Sequence, residues 1–373
     1  MSADVMLVQK RVFEMPFYET VGGKPLKNVR VGYETYGTLS PGRDNVVLIP
    51  HYFTANSHAA GKYSEQDALP GYWDMLIGPG KAIDTNRYFV ISVDCLSNMN
   101  ADANTITTGP ASIDPDTGEP YGLRFPAVLI RDFVNVQHAL LQSLDINRIH
   151  AVMGVSMGSM QAMAWAANYP GQVERVIALT PNGVAVSDYG VQMLGLWARA
   201  VRLDPKWNGG DYYGKAQPID GLAQALAGIL HSARHWHWAA QTYGRRVAVE
   251  QKDPADGLDN LFAIEDAFSA YSYARAAAMD ANSFLYLVKA NQVYSLQPGS
   301  ADGDYRKIKA PTLLITVDTD LLLAPENAIR FGKMLKENGV QVQMEQFSTA
   351  GGHLAGVLEA GATAEWIADF VSR

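Results

Sequence analysis

Short runs of almost wholly apolar residues alternate along most of this chain with longer stretches whose apolar residues recur at helical spacing. Residues 11–40 predict short strands, with "VRVGYETYGTL" alternating around Val29, Val31 and Tyr33. "NVVLIP" (45–50), "RYFVISVDCL" (87–96), "RIHAVMGV" (148–155), "VERVIALTP" (173–181), "APTLLITVD" (310–318) and "VQVQMEQFS" (340–348) predict further strands. Runs of this kind suit a parallel sheet buried on both faces. Between them, "FPAVLIRDFVNVQHALLQSL" (125–144) and "PENAIRFGKMLKEN" (325–338) predict helices, the second opening on Pro and Glu as a helix N-terminus does. The alternation predicts an α/β fold with a mostly parallel central sheet and helices on both faces.

Between about 183 and 298 the pattern changes. Strand-like runs vanish, and Ala, Leu, Trp and Tyr recur at helical spacing in "GLAQALAGILHSARHWHWAAQTYGRR" and "NSFLYLVKANQVYS". This divides the chain into a first core part (1–182), a helical lid (183–298) and a second core part (299–373). No internal repeat or low-complexity tract interrupts it.

Composition narrows the classes of function. Of the 373 residues, 48% are hydrophobic and 18% charged, as in a soluble globular enzyme. A net charge of −8, with no basic run longer than Arg245-Arg246, argues against nucleic acid as a partner. The first ten residues lack the basic-then-apolar pattern of a signal peptide, and no stretch approaches the roughly 18 apolar residues of a membrane span. Cys95 is the single cysteine, so no intramolecular disulfide forms. Together these features predict a cytoplasmic protein without membrane contact.

Candidate chemistry begins at Gly154-Val155-Ser156-Met157-Gly158, a G-x-S-x-G pattern that follows a predicted strand and opens an Ala/Met-rich helix. Such a turn holds a nucleophilic serine on a strained backbone, with small residues either side so that neighbouring elements can approach. A serine hydroxyl needs a general base, and the base needs an orienting carboxylate. In proteins with this elbow the acid and then the histidine follow the serine along the chain. His353, in "TAGGHLAGV", is the only histidine after His237. "LLITVDTDLLLAP" offers Asp318 and Asp320 as the acid; Asp320 is preferred because the apolar run ends before it, with Asp318 in reserve. An oxyanion needs main-chain donors already aimed at it: Met157 supplies one, and Phe53, in the loop after 45–50, is the candidate for the other. His51 reads as a residue that shapes that loop.

These stretches resemble the homoserine O-acetyltransferase family of α/β-hydrolases. The similarity runs through "PHYFTANSHAAG" (50–61), "WDMLIGPGKAIDTNRYFVIS" (73–92), "TTGPASIDPDTGEPYGLRFP" (107–126), "IRDFVNVQHALLQSLDI" (130–146), "GVSMGSMQAMAWA" (154–166), "DANSFLYLVKA" (280–290) and "VDTDLLLAP" (317–325). The resemblance implies an α/β-hydrolase fold with a helical lid insertion, a triad of Ser156, Asp320 and His353, and an oxyanion hole of Phe53 and Met157. It also implies a homodimer formed through the lid. Two departures bear on substrate. The residue after the family's histidine is typically an aspartate that meets the amino group of homoserine, and here it is Leu354. The lid arginine that meets the homoserine carboxylate is replaced by Leu226. The elbow further carries Val155 and Ser159 where a glycine is usual.

A zwitterion drawn into a pocket needs a partner for each charge. With leucine at both positions, the expectation is a serine esterase acting on small, short-chain, acetyl-type alkyl esters, of the family's esterase branch. It would need neither cofactor nor metal. The alternative is a homoserine O-acetyltransferase or a related acetyl-CoA-dependent O-acyltransferase. Remaining motifs are read as structural: His231, His235 and His237 as part of an aromatic packing surface rather than a metal site, Cys95 as a buried thiol, and "DPDTGEP" (114–120) as a turn-rich loop.

Overall fold

The computed structural model describes residues 6–100 and 106–373. Residues 1–5, half of the N-terminal stretch read above for a leader, lie outside the described residues. Eight strands form one sheet: β1 (Arg11–Glu19), β2 (Pro25–Tyr36), β3 (Val46–Pro50), β6 (Phe89–Val93), β7 (Ala151–Val155), β8 (Val176–Leu179), β9 (Thr312–Val317) and β10 (Val342–Phe347). Two-residue strands β4 (Ile77–Gly78) and β5 (Ile83–Asp84) make a separate ladder. The sheet order is β1-β2-β6-β3-β7-β8-β9-β10, with β1 and β2 antiparallel and all pairs from β6 onward parallel. Every residue of β3, β7, β8 and β9 is buried, as expected of apolar runs covered on both faces. β10 departs from that expectation. It is an edge strand with alternating Gln and Glu, and it is only half buried.

Helices α1 (Ile130–Ser143), α2 (Met157–Asn168), α8 (Pro325–Glu337), α9 (Ala355–Leu358) and α10 (Ala364–Ser372) belong to the two core parts of the chain. α1 begins five residues later than its apolar pattern does, because Pro126 keeps the preceding chain extended and the Asp132 carboxylate accepts the N–H of Leu129 at 2.7 Å. Between β8 and β9 the described chain holds no strand, only isolated bridges such as Val247–Phe262 and the helices α3 (Asp188–Leu203), α4 (Ile219–Ala233), α5 (Trp236–Tyr243), α6 (Ala263–Ala276), α7 (Ala281–Val293) and short 3₁₀ turns. The stretch 221–246 is two helices. Arg234 and His235 are extended, and the His235 ring accepts the N–H of His237 to start α5. The break takes His231 and His235 off a common helix, so the i, i+4 ligand geometry is not formed. No helix among the described residues is long and apolar enough to cross a membrane.

Candidate active site

The elbow forms where β7 becomes α2. Ser156 sits between them at φ 56°, ψ −121°, a conformation that costs an L-residue on the order of 1–3 kcal/mol. Its neighbours hold it there. The Ser156 N–H donates to Leu179 O of β8 at 3.1 Å. Its carbonyl accepts the N–H groups of Ser159 and Met160 and, at 2.6 Å, the Ser159 hydroxyl. The two glycines are required by space. A Cβ on Gly154 would lie 2.2 Å from the Gly158 carbonyl, and one on Gly158 would lie 2.3 Å from Pro50 O at the end of β3. Strand, turn and helix are thus in backbone contact, and Ser159 adds a bond that glycine could not.

β9 ends at Val317, and the chain turns so that Asp320 is buried. One oxygen of its carboxylate accepts the N–H groups of Leu322 and Leu323 at 2.9 and 2.8 Å, and the other lies 2.7 Å from His353 Nδ1. Asp318 points elsewhere, accepting the N–H of Thr349 at 3.2 Å. The loop carrying His353 is tied to the Asp320 turn through Thr319, whose hydroxyl donates to Thr349 O and accepts the N–H of Gly352. Gly352, at φ 70°, lies so close to the α4–α5 junction that a Cβ would meet the His235 nitrogen at 2.7 Å. His353 is therefore fixed between the sheet edge and the helical segment. With Nδ1–H donated to Asp320, Nε2 is the nitrogen left to face the cavity that both His353 and Ser156 line.

Phe53 lies in the loop after β3. Its N–H and that of Met157, the first residue of α2, are engaged by no acceptor among the described residues. The carbonyls around Phe53 are occupied. Tyr52 O accepts Ala55 N–H at 3.0 Å and His51 Nδ1 at 2.7 Å, Thr54 O accepts the Arg275 guanidinium of α6 at 2.9 Å, and Ala55 O accepts the amides of Asn98 and Asn100 at 3.0 Å. Beneath the loop, buried Asp94 accepts the N–H of Ser57 and buried Glu34 accepts the Tyr36 and Tyr63 hydroxyls, with Lys10 between the two carboxylates. The loop is held by its acceptors and leaves a donor free.

The cavity measures about 80 Å³. Its walls are apolar: Met160 of α2, Met193, Leu194 and Trp197 of α3, Ile229 of α4, and Leu322, Leu323, Leu354 and Val357 from the second core part. Ser156, His353, Tyr52, Thr54, Asn182 and Asn291 bring the polar atoms, and no Asp, Glu, Lys or Arg lines it among the described residues. The Asn291 amide donates to Leu287 O and to the Met157 sulfur. Of the two leucines singled out in the sequence, Leu354 lines the cavity. Leu226 does not: it is buried in the core one turn before Ile229, the α4 residue that reaches the cavity wall. Position along the helix explains the difference: Leu226 shares a face of α4 with the lining residues Ile229 and Ala233, three and seven residues on, but sits a turn or more before them along the axis. Cys95 is fully buried, its N–H donates to His51, and burial pushes its thiol well up.

The fold, with Ser156 on the β7–α2 turn lining the same cavity as the Asp320-bonded His353, is that of an α/β-hydrolase-fold enzyme. The family model described as alpha/beta hydrolase fold matches residues 67–359. Within that fold the chain belongs to the homoserine O-acetyltransferase family. It is 34% identical to the homoserine O-acetyltransferase of Carboxydothermus hydrogenoformans, over all of this chain and 97% of that one. Among solved structures it is similar to esterase E22 (45% identity, TM-score 0.91, covering 98% of this chain and 100% of that one). It is also similar to homoserine O-acetyltransferase from Bacillus anthracis (37% identity, TM-score 0.93, covering 99% and 98%).

Proposed function

We propose that this protein is a serine esterase for small esters with short acyl groups. The observation that carries the reading is the absence of any charged side chain from the described lining of the Ser156 cavity. Homoserine carries an ammonium and a carboxylate, and each would lose its water without gaining a partner. A neutral alkyl ester loses little on entering.

In the proposed reaction the Ser156 hydroxyl attacks the ester carbonyl carbon while His353 Nε2 takes its proton. Asp320 keeps the ring in the required tautomer and stabilises the imidazolium. The Phe53 and Met157 N–H groups receive the oxyanion. Collapse breaks the bond to the alkoxy oxygen, which leaves as the alcohol with the proton from His353. Water then attacks the acyl-enzyme, His353 accepts its proton and returns it to Ser156, and the carboxylic acid is released. The test is hydrolysis of ethyl acetate and p-nitrophenyl acetate by the purified protein, abolished in Ser156→Ala; a wild-type protein inert to both esters would remove the reading.

A second reading has its own support. The curated relative cited above is named for homoserine acetylation, and the same acyl-enzyme could be captured by an amino alcohol after acylation by acetyl-CoA. Release of coenzyme A that depends on added homoserine would favour it. For assembly, we propose pairing with a second copy through the helical lid. Tyr189, Leu196 and Leu203 stand exposed seven residues apart along α3, the spacing of a helix-packing seam. A monomeric mass in solution would contradict this.

A further inference from the structure

We infer that His51 is a positioning residue for the oxyanion hole, acting through the peptide unit that joins Tyr52 to Phe53. The inference rests on the serine acyl-transfer reading of the site. That peptide unit carries both Tyr52 C=O and the Phe53 N–H proposed to receive the oxyanion. A trans peptide is planar, with its C=O and N–H pointing in opposite directions, so whatever fixes the carbonyl aims the N–H. His51 Nδ1 lies 2.7 Å from Tyr52 O, and Ala55 N–H donates to the same oxygen at 3.0 Å.

The tautomer needed for this donation is set by the surroundings. His51 is fully buried, and its Nε2 accepts Cys95 N–H at 3.0 Å and the Asn98 side-chain amide at 3.2 Å. The Asn98 amide cannot be turned round without loss, because its oxygen accepts both the N–H and the side-chain amide of Asn100. Two donors on Nε2 leave the ring proton on Nδ1, directed at Tyr52 O. Burial lowers the imidazole pKa, which keeps the ring neutral. The His51 carbonyl is held in turn by Gln161 of α2 at 3.1 Å, tying the ring's own backbone to the helix that supplies the Met157 donor. Donation into Tyr52 C=O also polarises the peptide, making its N–H a stronger donor.

Two substitutions separate this role from simple packing. Asparagine at 51 can place an N–H where Nδ1 was; glutamine can place an oxygen where Nε2 was but offers Tyr52 no donor. His51→Gln is expected to lower kcat for p-nitrophenyl acetate about 10- to 100-fold, less than the roughly 10²–10³ for loss of a whole oxyanion donor. KM should stay within about twofold, and affinity for a boronic acid, an oxyanion mimic, should fall by the same factor as kcat. His51→Asn should keep kcat and boronate affinity within about threefold of wild type. Equal losses in the two variants, or a loss carried by KM, would overturn the inference. Should the variants not fold, ¹⁵N-histidine NMR of the wild type decides: a buried ring protonated at Nδ1 alone from pH 6 to 9 supports it, and a proton on Nε2 overturns it. A wild type inert to esters and unlabelled by a fluorophosphonate would instead refute the serine reading and leave the tautomer result standing.

Discussion

His353 Nδ1 lies 2.7 Å from Asp320 Oδ2, and the other oxygen of that carboxylate is saturated by the N–H groups of Leu322 and Leu323. The carboxylate cannot rotate away without abandoning two main-chain donors, so the imidazole has one orientation. Asp318, two residues earlier, holds the backbone of Thr349 instead.

That division of labour separates the two acids experimentally. Asp320→Asn is expected to lower kcat about 10³- to 10⁴-fold, as the wrong tautomer does in other serine hydrolases. Asp318→Asn, which disturbs one exposed loop bond, should stay within about threefold. Steady-state hydrolysis of p-nitrophenyl acetate by both variants is the check.

The two leucines that depart from the transferase pattern should behave differently from one another. Leu354 lines the cavity, so Leu354→Asp puts a carboxylate against a neutral ester, and kcat/KM for ethyl acetate should fall about tenfold or more. Leu226 is packed in the core, so Leu226→Arg buries an unpaired charge and should lower the melting temperature by several degrees. Thermal melts beside ester kinetics distinguish the two effects.

Asp302 supplies a pH-dependent term. It is buried, bonded to the N–H groups of Arg131 and Ser295, and burial, with Asp132 nearby, pushes its carboxyl up to about 6. The folded state therefore holds the proton more tightly than the unfolded chain does. Its stabilising contribution is complete below about pH 4 and is lost as pH rises through about 6, an amount on the order of 2–3 kcal/mol. Carboxylates held low, such as Asp84 and Asp304, change the total in the opposite direction, so the comparison is between wild type and Asp302→Asn. The stability difference between them should shift in favour of the variant from pH 4 to pH 7 in urea denaturation.

Much of this architecture is legible in the sequence because its strands are apolar on both faces. Runs such as 45–50 and 312–317 have no solvent side, and only a covered parallel sheet accommodates them. The G-x-S-x-G turn is legible for a steric reason, since Gly154 and Gly158 stand where backbone meets backbone. Position within a helix is less so. Leu226 matched a motif, yet it lies a turn short of the cavity along α4 and is packed in the core, and the single amphipathic stretch 221–246 conceals a break at Arg234 and His235. Long-range polar contacts left no local signal. The Arg275 guanidinium on Thr54 O spans 221 residues, and the network of Lys10, Glu34 and Asp94 under the loop joins three separate segments.

The most direct test of the central claim gives one preparation both acyl acceptors. With p-nitrophenyl acetate as donor, the rate of nitrophenol release and the acetate formed are measured with and without homoserine, and acetyl-CoA is then tried as donor. The account expects Ser156-dependent hydrolysis in which acetate matches nitrophenol and homoserine changes neither. No esterase activity, with coenzyme A released from acetyl-CoA only when homoserine is present, would contradict it.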